Sequence, residues 1–93
     1  MALQIEIEVR NREELQQVID AGGADRILLD NFDFIKLREA VELVGGRFIT
    51  EASGGITEEN VLAYAQCGVD FVSMGALTHS VKSMDMSLKA VKG

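Results

Sequence analysis

Hydrophobic and polar positions along the chain alternate between two periods. Leu3-Gln-Ile-Glu-Ile-Glu-Val-Arg10 alternates residue by residue, which puts Leu3, Ile5, Ile7 and Val9 on one face of a strand and Gln4, Glu6, Glu8 and Arg10 on the other. The period then becomes helical. Asn11 stands at an N-cap with Glu14 three residues on, Leu15, Val18 and Ile19 form an apolar stripe, and Gly22-Gly23 ends it. Arg26-Ile-Leu-Leu-Asp30 is an apolar run closed by a carboxylate, as expected of a strand covered on both faces. Phe34, Leu37, Ala40, Val41 and Val44 return to helical spacing, with Asp33 as cap and Gly45-Gly46 as terminator. Phe48-Ile-Thr50 reads as a third strand. Thr57-Glu-Glu-Asn60 opens a third helix that continues through Val61, Leu62, Tyr64 and Ala65 to Gly68, and Phe71-Val-Ser73 is a fourth strand. Met84, Met86, Leu88 and Val91 mark a last amphipathic helix over residues 84–91.

Ile7, Leu28, Ile49 and Val72 lie 21, 21 and 23 residues apart, so the chain is a β/α repeat. The predicted class is α/β, with about four βα units, a parallel sheet and right-handed crossovers. No proline or long linker divides it, which makes residues 1–93 one domain. Two closures fit: a small open sheet, or half of a TIM-like β/α barrel whose exposed edges require self-association or a complementing half. Glu6 and Glu8 favour the half-barrel. Inside a barrel the inner face can become polar near its C-terminal mouth, whereas a covered open sheet would bury unpaired carboxylates at high cost.

Composition narrows the function. A chain of 93 residues buries only about 60–65% of its unfolded surface. Net charge is −6 and the nine Lys and Arg residues are scattered, so neither nucleic acid nor an anionic membrane is an expected partner. The longest apolar runs are too short to span a bilayer, and the N-terminal stretch lacks the basic and apolar regions of a signal peptide, which makes the cytoplasm the expected location. Cys67 has no partner cysteine and reads as a core thiol near a helix C-terminus. Met74, Met84 and Met86 read as core filler.

Candidate chemistry gathers at predicted strand C-termini, where parallel β/α architectures place ligands: Glu8, Asp30, Glu51, Ser53, Gly54, Gly75 and His79. Glu51-Ala-Ser-Gly-Gly-Ile-Thr57 is a strand–glycine–helix junction, which aims backbone N–H groups at one spot suited to phosphate. Ser73-Met-Gly-Ala-Leu-Thr-His79 repeats the pattern about 20 residues later and forms a second half-site. Facing carboxylates would suit a Mg²⁺-chelated phosphorylated sugar. Each feature has a plainer reading: Glu8 as a solvated strand residue, Gly54 and Gly55 as tight-turn glycines, His79 as a surface histidine.

Together, Glu6-Ile-Glu8-Val, Leu29-Asp-Asn-Phe32, Glu51-Ala-Ser-Gly-Gly-Ile56 and Gly75-Ala-Leu-Thr-His-Ser80 are similar in order and spacing to the C-terminal part of quinolinate phosphoribosyltransferase, also called nicotinate-nucleotide pyrophosphorylase. The molybdenum-transport-associated ModD family shares much of this pattern. The resemblance covers nearly the whole chain. It implies an incomplete β/α barrel that joins quinolinate to phosphoribosyl pyrophosphate with Mg²⁺, releasing pyrophosphate and carbon dioxide and giving nicotinate mononucleotide for NAD synthesis. By the same resemblance, Glu8 and Asp30 engage ribose and metal, and Ser53, Gly54, Gly55 and Gly75 cradle the 5′-phosphate with His79 beside it. Glu51 and Asn31 lie within matched motifs and carry less weight. Arg10 and Gly22-Gly23 depart from the family pattern, away from the phosphate loops. The family enzyme is roughly three times longer, and the earlier strands bearing its Arg, His and Lys cluster have no counterpart here. A truncated form retaining the phosphoribosyl side, inactive alone, is the expectation; a phosphate-binding module without turnover and a purely structural half-barrel unit are the alternatives.

Overall fold

The structure is a computed structural model that describes residues 4–84. In chain order it contains β1 (Glu6–Val9), α1 (Arg12–Ala21), β2 (Arg26–Asp30), α2 (Phe34–Val44), β3 (Ile49–Ser53), α3 (Val61–Ala65), β4 (Phe71–Met74) and β5 (Leu77–Ser80), with a 3-10 turn at Val81–Ser83. The strands form one sheet in the order β1-β2-β3-β4-β5. β1 to β4 are parallel and β5 is antiparallel to β4. Among the described residues the sheet does not close on itself, so the architecture is that of an open half-barrel. Met86, Leu88 and Val91 of the expected last helix lie outside the described residues.

Local rules explain the helices. Asn11 Oδ1 accepts from Glu14 N–H at 2.9 Å, and the Glu14 carboxylate reaches back to Arg10 N–H at 2.7 Å, one residue beyond a strict capping box. Asp33 Oδ1 accepts from Lys36 N–H at 2.8 Å to start α2. Gly45, in the left-handed region, ends α2 by donating its N–H to the Val41 carbonyl. Only α3 falls short of expectation. Asn60 Oδ1 takes the Thr57 N–H at 2.7 Å and Asn60 Nδ2 donates to the Gly55 carbonyl at 3.0 Å, so residues 57–60 form a side-chain-closed turn and the helix keeps five residues.

Register divides the sheet into two unlike faces. Ile7 and Val9 pair with Ile27 and Leu29, which pair with Thr50 and Ala52, and Ala52 pairs with Val72. That face packs under the helices: Val9, Ile27, Leu29, Ala52 and Val72 are all at most 1% exposed and join Leu15, Leu37, Val44 and Val61 in the core. Cys67, just after α3, is buried in the same cluster, as its reading as a core thiol requires. The opposite face carries Glu6 and Glu8, then Arg26, Leu28 and Asp30, then Ile49, Glu51 and Ser53, then Phe71 and Ser73. This is the polar inner face that the Ile/Glu alternation predicts.

Two boundaries move. The third strand runs three residues further than Phe48–Thr50, through Ser53, so Glu51 lies mid-strand rather than at its end. The second junction is not a strand–glycine–helix loop. Gly75, at φ 64°, and Ala76 form a two-residue hairpin loop between β4 and β5, the Gly-X pattern that matches strand twist.

Candidate functional site

The C-terminal mouth of the open face brings together part of the predicted site. Asp30 and Ser53 are register partners at the ends of β2 and β3, and Ser53 Oγ donates to Asp30 Oδ1 at 2.9 Å. Asn31 N–H donates to the Ser53 carbonyl at 2.9 Å, which ties the loop after β2 to the end of β3. Asn31 itself has φ 63°, the positive-φ non-glycine residue of the described chain. Gly54 packs directly on it: a Cβ there would lie 3.0 Å from Asn31 N and 3.1 Å from its Cα. The glycine therefore serves the packing of the two loops as well as any ligand.

Gly54 and Gly55 both have positive φ, 97° and 68°, a turn conformation that glycine adopts without strain. Among the described residues, the N–H groups of Gly54, Gly55 and Ile56 make no hydrogen bond. Ile56, 5% exposed, anchors the loop from below. The result is a run of unbonded donors beside the Asp30–Ser53 pair. With five residues, α3 adds little dipole, so the loop amides themselves carry the positive character.

Glu8 shares this face, being paired with Leu28 one layer from Asp30, and is exposed. Gly75 lies at the tip of the β4–β5 hairpin. His79 is set apart: it pairs with Val72, on the helix-side face, so the sheet lies between it and the Ser53 hydroxyl. No cluster of three or more His, Cys, Asp or Glu side chains arranged to hold a metal occurs among the described residues. Asp30 and Glu8 supply at most two carboxylates, a donor set that fits Mg²⁺ only when ligand phosphates complete its shell.

A second polar cluster lies one layer deeper. Glu51 is 5% exposed, yet its Oε1 meets Arg26 Nη1 at 3.3 Å, while its Oε2 accepts from Ser73 Oγ and lies 3.5 Å from Thr78 Oγ1. The Arg26 guanidinium stacks 4.1 Å above the Phe71 ring, and its Nε is buried without a hydrogen-bond partner. Glu6 is held above the ordinary carboxylate range by burial first, then by a hydrogen bond to the Glu51 carboxyl and repulsion from it, with Arg26 pulling the other way. Sequence reasoning gave Glu51 little weight and passed over Arg26, because their pairing spans 25 residues and depends on register. The signal within reach was a charge at the start of one strand and another in the middle of its neighbour.

A concavity of about 510 Å³ lies between the start of α1 with the turn before it and α2 with the loop that precedes it. Its cations Arg10, Arg12 and Lys36 are matched by Glu13, Asp33 and Glu39, so it offers no net charge to a ligand. The sheet mouth, with free amides and paired carboxylates, is the better candidate.

Comparison with known proteins agrees with this geometry. The family described as "Quinolinate phosphoribosyl transferase, C-terminal domain" matches residues 1–89. A chloroplastic nicotinate-nucleotide pyrophosphorylase of Arabidopsis thaliana is 46% identical over 96% of this chain and 30% of its own length. A probable nicotinate-nucleotide pyrophosphorylase of Methanocaldococcus jannaschii is 47% identical over 95% of this chain and 33% of its own. Among solved structures, the nicotinate-nucleotide pyrophosphorylase of Francisella tularensis superposes with a TM-score of 0.71 at 38% identity, covering 81% of this chain and 28% of that one. The chain thus spans about a third of the length of these relatives. No helix among the described residues is long and apolar enough to cross a membrane. With a family match over almost its full length, relatives at 46–47% identity and a matching fold, the chain belongs to the quinolinate phosphoribosyltransferase family, within its C-terminal domain.

Proposed function

We propose that the chain forms the phosphoribosyl half of a quinolinate phosphoribosyltransferase site and binds phosphoribosyl pyrophosphate, or phosphate alone, with Mg²⁺. The observation that carries the reading is the run of unbonded N–H groups at Gly54, Gly55 and Ile56, curved by two positive-φ glycines beside the Asp30–Ser53 pair. Such a nest suits a phosphate dianion. Asp30 and Glu8 would hold the ribose and the metal and stabilise positive charge developing at the sugar carbon. Mg²⁺, when bound, would neutralise the pyrophosphate leaving group.

The same face supports a need for a partner surface in turnover. Arg26 is the cation that register places among the strands of the open face, and Glu51 already neutralises it. A dianionic acceptor such as quinolinate therefore lacks charge complementarity on this side. A second copy or a complementing barrel half would supply it. The test is an amide NMR titration with phosphoribosyl pyrophosphate and Mg²⁺, with phosphate as control. Saturable shifts at Ser53–Ile56 are expected; a dispersed spectrum that does not move would refute the reading. Formation of nicotinate mononucleotide by this chain alone would refute the need for a partner.

A further inference from the structure

β3 and β4 separate at the mouth. β2 and β3 stay in register to their ends, through Asp30 and Ser53, whereas β3 and β4 pair only at Glu51–Phe71 and Ala52–Val72. Beyond Val72 the fourth strand leaves the parallel ladder and turns at Gly75 into β5. No backbone ladder holds that hairpin to the cradle loop at Gly54.

Among the described residues, the Glu51 side chain crosses the gap. Glu51 is paired with Phe71, but its carboxylate reaches diagonally, past the end of the ladder, to Ser73 Oγ and Thr78 Oγ1. Ser73 and Thr78 are cross-strand partners in the hairpin, with hydroxyls 3.3 Å apart. The other carboxylate oxygen is held by Arg26 from β2, so one nearly buried group links β2, β3, β4 and β5. A buried carboxylate bonded to charge and hydroxyls is directional, and its length fixes the width of the gap.

We propose that Glu51 is a positioning residue, setting the β4–β5 hairpin at Ser73–Gly75 opposite the amide cradle at Gly54–Ile56. This deepens the phosphoribosyl reading and rests on it for the ligand effect, while the tie itself is testable without ligand. Glu51→Leu removes the acceptor, Ser73→Ala breaks the bond from the other end, and Glu51→Gln keeps a carbonyl that Ser73 can donate to.

Hydrogen exchange of the ligand-free protein is the first readout. Exchange at Met74–Thr78 should quicken about tenfold or more in Glu51→Leu and Ser73→Ala while β2 keeps its protection, and Glu51→Gln should stay near wild type. The second readout is the titration with phosphoribosyl pyrophosphate and Mg²⁺. Affinity should fall about tenfold in the Leu and Ala variants, with shifts retained at Gly54–Ile56 and lost at Ser73–Gly75. Should Glu51→Leu fail to fold, Ser73→Ala decides. Unchanged exchange at Met74–Thr78 in Ser73→Ala, or uniform acceleration across the sheet, would overturn the proposal. Absence of ligand shifts in the wild type would instead overturn the phosphoribosyl reading, and exchange would still decide the tie.

Discussion

The adjacent glycines of the cradle allow loop packing to be separated from ligand space. At Gly54 an added Cβ meets Asn31 N at 3.0 Å, Asn31 Cα at 3.1 Å and Asn31 Oδ1 at 3.2 Å, and φ is 97°. Two of those atoms are backbone and cannot step aside without moving the loop after β2. Gly54→Ala therefore combines a positive-φ penalty of about 1–2 kcal/mol with an overpacking penalty of about 1–3 kcal/mol. At Gly55, φ is 68° and nothing lies within 4 Å of the added Cβ. Gly55→Ala carries only the conformational penalty of about 1–2 kcal/mol. A domain of 93 residues holds about 5–14 kcal/mol in total, so both proteins should fold. Urea unfolding is the assay. With a slope of about 1.5 kcal/mol per molar, the midpoint of Gly54→Ala should lie at least about 0.7 M below that of Gly55→Ala. Phosphate titration should show the converse for Gly55→Ala, whose methyl fills open space beside the free amides: a well-folded protein with at least about tenfold weaker binding. Equal midpoints would refute the interlock of the two loops. Undiminished phosphate binding by Gly55→Ala would refute the cradle.

Three further outcomes follow from the same coordinates. Asp30→Asn keeps an oxygen to accept from Ser53 Oγ, so thermal stability should change by less than about 1 kcal/mol while the Mg²⁺-dependent part of phosphoribosyl pyrophosphate binding disappears in calorimetry. Glu6 binds its proton more tightly folded than unfolded, so its contribution is favourable at acid pH and is lost as pH rises above the ordinary value of 4.5. Glu6→Gln should accordingly raise the melting temperature at pH 7 and leave it unchanged near pH 3; a fall at pH 7 would contradict the Glu6–Glu51 repulsion. Leu29, fully buried between β1 and β3, should cost about 2–5 kcal/mol when cut to alanine, read by urea unfolding.

The sequence displays this fold where local rules decide it. The caps at Asn11 and Asp33, the stop at Gly45 and the apolar run before Asp30 are chemistry within a few residues, and each appears where its pattern places it. The Ile/Glu alternation foretells a sheet with one apolar and one polar face. β5 was hidden because Leu77-Thr-His-Ser80 has no strand period of its own; it exists because Gly75 permits a tight reversal beside an unoccupied edge. α3 shortened because the Asn60 side chain outcompetes helical bonding at Thr57, a choice that propensity alone does not reveal. In the site, Asp30, Ser53 and Gly54 were readable from their place after a strand. The Glu51 network was not, since it is assembled by register across four strands.

The antiparallel fifth strand also gives the described sheet two unlike edges, β1 and β5. β4 has no vacant edge, so among the described residues the parallel array can lengthen only at β1. Head-to-tail joining of identical copies, β1 upon β4, is blocked because β5 occupies that edge of β4, which excludes a ring or filament built by that pairing. Two copies meeting through β1 alone would be related by a two-fold axis and run antiparallel, setting the Glu6 and Glu8 carboxylates of each against those of the other. A non-identical strand meets neither obstacle. The hairpin at Gly75 thus ends the parallel array at β4 and leaves β1 as the described edge on which a further parallel strand can be laid.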